Sequence, residues 1–183
     1  MIEDQVAPKA CGHTQRKAVV PFDEALMRVR AAVDASRALA AQGDDIVILA
    51  RTDARACLGL DEAIRRCQVF REAGADMTFL EAPLTVDEMR AYCSQVEGPK
   101  LANILAGGRT PQLPPADLEA MGFAVAAYPL DLINASIVAM RATLKGLKKS
   151  GSPPKDLTLP FSECMEAVGF DEYYKEADQY KHH

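Results

Sequence analysis

The sequence predicts an α/β fold built of parallel βα units. Short continuous apolar runs recur along the chain, amphipathic helical stretches lie between them, and the connections are short. Continuous runs suit strands covered on both faces, whereas a half-exposed antiparallel strand alternates. With 183 residues, 49% hydrophobic and 26% charged, the chain has the composition of a globular domain with its own core.

Residues 1–4 open as a strand, Met1-Ile2 running directly into the polar Glu3-Asp4-Gln5. Residues 23–42 follow as a helix with Leu26, Val29, Val33 and Ala40 on one face. Ile46-Val47-Ile48-Leu49-Ala50 reads as a buried strand. Residues 61–73 form a helix with Ala63, Ile64, Cys67 and Phe70 inward, closed by Gly74. Residues 76–81 are the third strand, and Thr85-Val86-Asp87-Glu88 is a capping box that opens the next helix. Residues 100–104 and 123–127 are the fourth and fifth strands, separated by a short helix, 115–121, that starts after Pro114. Residues 130–148 form a longer helix ending in Lys145, Lys148 and Lys149, where cations complement the helix dipole.

Five such strands fit a doubly wound sheet or part of a (β/α)₈ barrel, which when closed needs eight strands and about 250 residues. A domain seldom starts inside a strand, so a preceding segment is expected. Ser150-Gly151-Ser152-Pro153-Pro154 reads as a linker. The helical tail beyond it carries Phe161, Met165, Val168, Phe170, Tyr173 and Tyr174, which must pack on the chain's own barrel or on a neighbouring subunit. The organisation read from sequence is a partial barrel over 1–149, a linker over 150–160 and a tail over 161–183.

The net charge of −5 argues against nucleic acid as the main partner. No stretch approaches the roughly 20 apolar residues that span a membrane, and no charged segment followed by an apolar one opens the chain in the manner of a signal peptide. The compartment read is cytoplasmic or an organellar lumen, any targeting segment lying upstream. The cysteines are Cys11, Cys57, Cys67, Cys93 and Cys164; no C-x-x-C pair exists, which excludes a zinc ribbon or a thioredoxin motif. Cys67 and Cys93 sit in helical patterns as packing residues. Neither G-x-G-x-x-G nor a P-loop occurs, so a nucleotide-binding role is disfavoured.

Parallel βα proteins place their sites at the C-terminal ends of the strands. Those ends here are Glu3-Asp4-Gln5, Arg51-Thr52-Asp53, Glu81-Ala82, Asn103 and Tyr128-Pro129. Carboxylates with a guanidinium and an amide suit a divalent metal and a carboxylate-bearing substrate, which Arg51 can grip with two parallel hydrogen bonds. Taken singly, an acidic strand end is more often a solvated cap than a ligand, and Arg51 could equally be a salt-bridge partner of Asp53 or Glu81, and Asn103 a satisfied buried amide. Convergence is what points to a site. In the polar loop from Pro8 to Lys17, Cys11-Gly12-His13 is flanked by Lys9, Arg16 and Lys17, cations that favour thiolate. A thiol beside an imidazole is plausible acid–base equipment, and an unremarkable loop cysteine is the alternative.

Six segments in order resemble the isocitrate lyase/PEP mutase superfamily: Ile2-Glu3-Asp4-Gln5, Lys9-x-Cys11-Gly12-His13, Ala50-Arg51-Thr52-Asp53-Ala54, Phe79-Leu80-Glu81-Ala82, Leu101-Ala102-Asn103 and Gly107-Gly108-Arg109-Thr110-Pro111. The resemblance implies the C-terminal part of a (β/α)₈ barrel, strands four to eight, plus a tail that packs on a neighbouring subunit, usually in a homotetramer. It implies Mg²⁺-dependent cleavage of a carbon–carbon bond in a 2-hydroxy di- or tricarboxylate, giving a 2-oxo acid. Glu3 would belong to the Mg²⁺ site. Lys9, Cys11 and His13 would serve catalysis on a mobile loop, Cys11 as the acid. Gly12, Arg51, Glu81, Asn103, Ile104 and Leu105 would line the substrate.

The thiol loop favours lyase over phosphonate mutase, which stays as an alternative within the family. The positions matching two arginines of methylisocitrate lyases are Asn134 and Phe161, which favours a dicarboxylate such as a 2-alkylmalate. The family's Ser-Gly-rich loop and most direct Mg²⁺ ligands are not in this sequence, so it reads as a fragment or an N-terminally truncated gene model. An inactive partial barrel acting as an interaction subunit is the competing expectation.

Overall fold

Each apolar run becomes a short strand: β1 (Ile2–Glu3), β2 (Leu49–Thr52), β3 (Met77–Leu80), β4 (Leu101–Asn103) and β5 (Val125–Ala127). The structure, a computed structural model, describes residues 1–9 and 18–180. Strands β1, β2 and β3 pair in parallel in that order, as do β4 and β5. A parallel bridge from Thr78 to Lys100 joins the two sets. The order therefore runs 1-2-3-4-5 with no reversal. A doubly wound sheet reverses its order at a switch point, so of the two architectures compatible with the sequence the described strands follow the barrel-type winding.

Helices α1 (Phe22–Ala40), α2 (Arg55–Leu58), α3 (Leu60–Glu72), α4 (Val86–Gln95) and α5 (Pro115–Met121) fill the connections. Two apolar clusters seal helices to strands. One gathers Val29, Val33, Ala50 and Phe70; the other gathers Cys67, Leu80, Met89, Tyr92, Leu118 and Phe123. Ala63, Ile64, Cys67 and Phe70 are all buried, as their spacing on α3 requires. On α1 the inward stripe is Ala25, Val29 and Val33, while Leu26 is half-buried and Ala40, in the last turn, is exposed. Burial raises the thiol of Cys67 far above its ordinary value and that of Cys93 to about 11, as fits packing residues.

Strand β2 begins three residues later than the apolar run. Ile46 and Val47 are 51% and 61% exposed. The chain is first captured at Ile48, whose amide donates to Asp76 Oδ2 (2.7 Å) and whose carbonyl accepts from Asp76 N (2.9 Å). Pairing, rather than hydrophobicity, sets the boundary.

Two compact units divide the chain at Asp131. The division falls at the start of α6 (Asp131–Ser150), ahead of the connection at 150–160. Helices α7 (Phe161–Ala167) and α8 (Phe170–Asp178) form the tail, broken at Gly169, whose φ is +78°. Phe170, Tyr173 and Tyr174 meet in tilted and edge contacts with centroids 5.6–6.0 Å apart. None of the three long helical segments of this unit has a buried residue; Leu132, Phe161 and Tyr180 are 85%, 80% and 76% exposed. No helix among the described residues is long and apolar enough to cross a membrane.

Gly74 ends α3 with φ +104°. Its amide bonds Arg71 O (2.9 Å) and that of Ala75 bonds Phe70 O (3.0 Å), a Schellman closure. A Cβ there would lie 2.9 Å from Val33 Cγ1 on α1. Gly74→Ala is expected to cost about 2 kcal/mol, from left-handed strain plus this clash, read as a lowered midpoint of chemical denaturation.

Candidate active site

Strand register decides which side chains share the mouth. In the parallel pairing Glu3 lies beside Arg51, and Arg51 beside Phe79. Side chains alternate along a strand, so Asp53 and Glu81, two residues on, return to that face. Asp4 and Thr52 fall on the opposite face, toward α3.

Arg51 is the centre of the first group. Its Nε donates to Asp53 Oδ2 (2.8 Å) and its Nη2 to Asp53 Oδ1 (3.1 Å), a two-pronged fork. Glu3 Oε2 lies 3.5 Å from Nε and Glu81 Oε1 lies 3.7 Å from Nη2. The guanidinium rests over the Phe79 ring, 5.0 Å from its centroid. Burial opposes its charge, but the Asp53 hydrogen bond and the charges of Glu81, Asp53 and Glu3 prevail and hold it above its ordinary value. Arg51 is therefore a permanent cation, held at one edge by protein carboxylates. Its Nη1 edge makes no hydrogen bond among the described residues.

Glu3 reaches two ways. Oε1 pairs with Lys9 Nζ at 2.8 Å, which puts Lys9, at the root of the loop, against the mouth. Oε2 is buried and accepts no hydrogen bond. An acceptor so placed fits a cation or its bound water. Among the described residues, however, no three carboxylate, imidazole or thiol groups converge to hold a metal ion. Asp53 and Glu81 are turned toward Arg51. The described residues fit a metal through one ligand, not a set.

Glu81 is buried, and the next residue, Ala82, has φ +56°, the one non-glycine residue in the left-handed region among those described. Such strain persists only where the surroundings over-determine it, and it clusters at sites. Asn103 ends β4 opposite Ala127. Ile104 is buried in the apolar core and its amide bonds Ala127 O (2.8 Å); the Leu105 carbonyl accepts from Gln112 Nε2 (2.9 Å). Cys11, Gly12 and His13 lie outside the described residues. The loop's two ends are tied together, Val6 N to Ala18 O (3.0 Å) and Val20 N to Asp4 O (2.8 Å), so it leaves and returns at the end of β1.

Sequence reading missed a second layer beneath the mouth. Asp4, 1% exposed, accepts from Thr52 Oγ1 (2.6 Å), Asp53 N (2.9 Å) and Arg66 Nη1 (3.0 Å). Arg66, 2% exposed on α3, also donates to Val20 O (3.2 Å) and to Glu62 Oε1 (2.9 Å). Alternation alone sends Glu3 and Asp4 to opposite faces, so a buried partner for Asp4 was the available signal.

Beside the mouth, Arg55 of α2 forks onto Glu88 of α4 (2.9 and 2.5 Å), and Glu88 also accepts from Leu84 N (2.8 Å). The Arg55 hydrogen bonds, then Leu84 N, hold the Glu88 carboxyl below its ordinary value against the pull of burial. A depressed folded-state value means that the stabilisation is complete above the ordinary carboxylate range and is lost as pH falls through the folded value. Glu88→Gln is expected to lower the melting temperature at pH 7 and to flatten its fall in acid, seen by comparing wild type and variant from pH 7 to pH 3.

A fixed guanidinium ringed by strand-end carboxylates stands at the mouth of an unreversed parallel βα array, which defines a parallel βα protein with a charged strand-end site. The chain belongs to the PEP mutase/isocitrate lyase superfamily: residues 1–148 match the phosphoenolpyruvate phosphomutase family. It is 40% identical over 183 residues to the petal death protein of Dianthus caryophyllus, covering 98% of this chain and 56% of that one. It is 38% identical over 179 residues to the 2-methylisocitrate lyase of Escherichia coli (strain K12), covering 97% and 59%. Among solved structures, a 2,3-dimethylmalate lyase superposes with TM-score 0.88 at 35% identity, over 97% of this chain and 58% of that one. A phosphonopyruvate hydrolase complex with oxalate and Mg²⁺ superposes with TM-score 0.76 at 27% identity, over 97% and 61%. The chain thus spans little more than half the length of these relatives.

Proposed function

We propose that this chain is the C-terminal part, strands four to eight, of a (β/α)₈-barrel lyase that cleaves a 2-hydroxy dicarboxylate such as a 2-alkylmalate. The observation that carries the proposal is Arg51: a permanent cation locked by Asp53, with its Nη1 edge open to a substrate carboxylate. Glu81, Asn103, Leu105 and Gly12 complete the substrate pocket, whereas the Ile104 side chain, expected there from sequence, packs into the apolar core behind it. Glu3 belongs to a Mg²⁺ site, largely through water, with the remaining ligands outside the described residues. When bound, Mg²⁺ supplies Lewis-acid stabilisation of developing oxygen charge.

In the reaction the C2 hydroxyl passes its proton to a basic group at the mouth, which later returns it to the Cys11 thiolate, and the C2 oxygen becomes the carbonyl of the departing 2-oxo acid. The adjacent carbon–carbon bond breaks, its electron pair passes to the other carboxylate fragment, and the Cys11 thiol protonates that fragment. His13 and Lys9 assist from the same loop. Asn134 and Phe161 carry no charge to meet a third carboxylate, which supports a dicarboxylate over a tricarboxylate.

The test is a panel of 2-alkylmalates, oxaloacetate and 2-methylisocitrate assayed with the full polypeptide that carries this sequence. The highest kcat/KM is expected on a dicarboxylate, and Cys11→Ser is expected to remove most turnover. Preference for methylisocitrate would overturn the substrate class, and full activity of Cys11→Ser the role of the thiol. The exposed apolar side chains of Leu132, Phe161 and Tyr180 further support homo-oligomeric association. Light scattering is expected to give a multiple of the chain mass, and a monomer at assay concentration would contradict it.

A further inference from the structure

We propose that Asp4 and Arg66 are positioning residues that set the angle of Arg51 and the footing of the reactive loop together; this rests on the lyase reading for its catalytic consequence, but not for its geometry. One carboxylate oxygen of Asp4, Oδ1, accepts from the backbone amide of Asp53, and the other, Oδ2, from Thr52 Oγ1. These bonds fix the turn on which the Asp53 carboxylate stands, and that carboxylate forks onto Arg51. Arg66 supplies the counter-charge at 3.0 Å and in the same reach binds the carbonyl of Val20. The amide of Val20 donates back to the carbonyl of Asp4. One buried ion pair therefore ties the end of β1, the end of β2, helix α3 and the returning end of the loop that bears Cys11.

Neither Asp4 nor Arg66 faces the mouth, and burying the pair offers little net stability over an apolar substitute of equal volume. What it provides is direction. A carboxylate with two oxygens can accept from an amide, a hydroxyl and a guanidinium at once; an apolar pair could not orient the Asp53 turn.

The test uses the full polypeptide with ¹⁵N-labelled arginine. Arg51 Nε–H, assigned by its loss in Arg51→Lys, is expected as a resolved, slowly exchanging resonance. In Asp4→Asn, and more mildly in Arg66→Lys, that resonance is expected to move into the averaged arginine envelope. In the assay the same variants are expected to raise KM for the dicarboxylate about tenfold or more, with a smaller change in kcat. Should Asp4→Asn fail to fold, Arg66→Lys, which keeps the charge but not the fork, carries the measurement. An unchanged Arg51 resonance in folded Asp4→Asn or Arg66→Lys would overturn the proposal, as would a loss confined to kcat with KM intact. Absence of turnover by wild type would sink the lyase reading alone, and the resonance would still decide the positioning.

Discussion

Arg51→Gln is expected to lower kcat/KM for 2-alkylmalate cleavage by about a thousandfold, equivalent to about 4 kcal/mol of transition-state binding. The neutral amide keeps polarity but loses the charge and the planar fork, so the substrate carboxylate meets Glu3, Asp53 and Glu81, with Lys9 the nearby cation left among the described residues. Repulsion among those carboxylates also loosens the mouth. Arg51→Lys separates the effects: it keeps the charge but cannot fork onto Asp53 and rest over Phe79 together. A loss of about a hundredfold is expected for lysine, with little change in stability. Because the surrounding carboxylates raise the affinity of Arg51 for its proton, no limb of the pH–rate profile is expected to arise from it. Steady-state kinetics across pH 5 to 9 check both statements.

The second large effect is on the fold. Arg66→Met removes the cation facing Asp4 and is expected to destabilise the protein by about 3–5 kcal/mol, because a carboxylate 1% exposed is left uncompensated. Pairing Arg66→Met with Asp4→Leu is expected to recover much of that loss, since two apolar groups need no counter-charge. Urea denaturation of the two single variants and the double variant measures the coupling. A double variant as unstable as the sum of the singles would show that the two residues act separately.

The alternation of strands and helices was legible because buried parallel strands are written as uninterrupted apolar runs. The strand ends were legible for the same reason, the first three runs breaking at charged residues and the last two at Asn103 and Tyr128-Pro129. That rule located Arg51 and, with it, Glu3, Asp53 and Glu81, which the fold does bring to Arg51. Boundaries were less visible. The run Ile46–Ala50 marks a strand but cannot say where pairing begins, and the Asp76 carboxylate on the Ile48 amide settles it. Ala40 continued a helical stripe on paper, yet in the last turn of α1 it is exposed.

The deepest omission was Arg66. On α3 it stands among Ala63, Ile64, Cys67 and Phe70, where an arginine reads as the edge of an exposed face. Only a buried Asp4 makes its position meaningful, and Asp4 is 62 positions away in the chain. Long-range charge pairing leaves no local pattern. The thiol loop is the opposite case: Cys11-Gly12-His13 is plain in sequence and lies outside the described residues, so its role rests on the resemblance and on the tethering of its two ends beside Asp4.

The measurement that bears most directly on the whole account is release of 2-oxo acid from a 2-alkylmalate, followed by a coupled dehydrogenase, with the full polypeptide that carries this sequence and with its Arg51→Gln variant. Mg²⁺-dependent turnover by the wild type and near-complete loss in the variant are expected. Well-folded protein with no oxo-acid release, or equal turnover by Arg51→Gln, would contradict it.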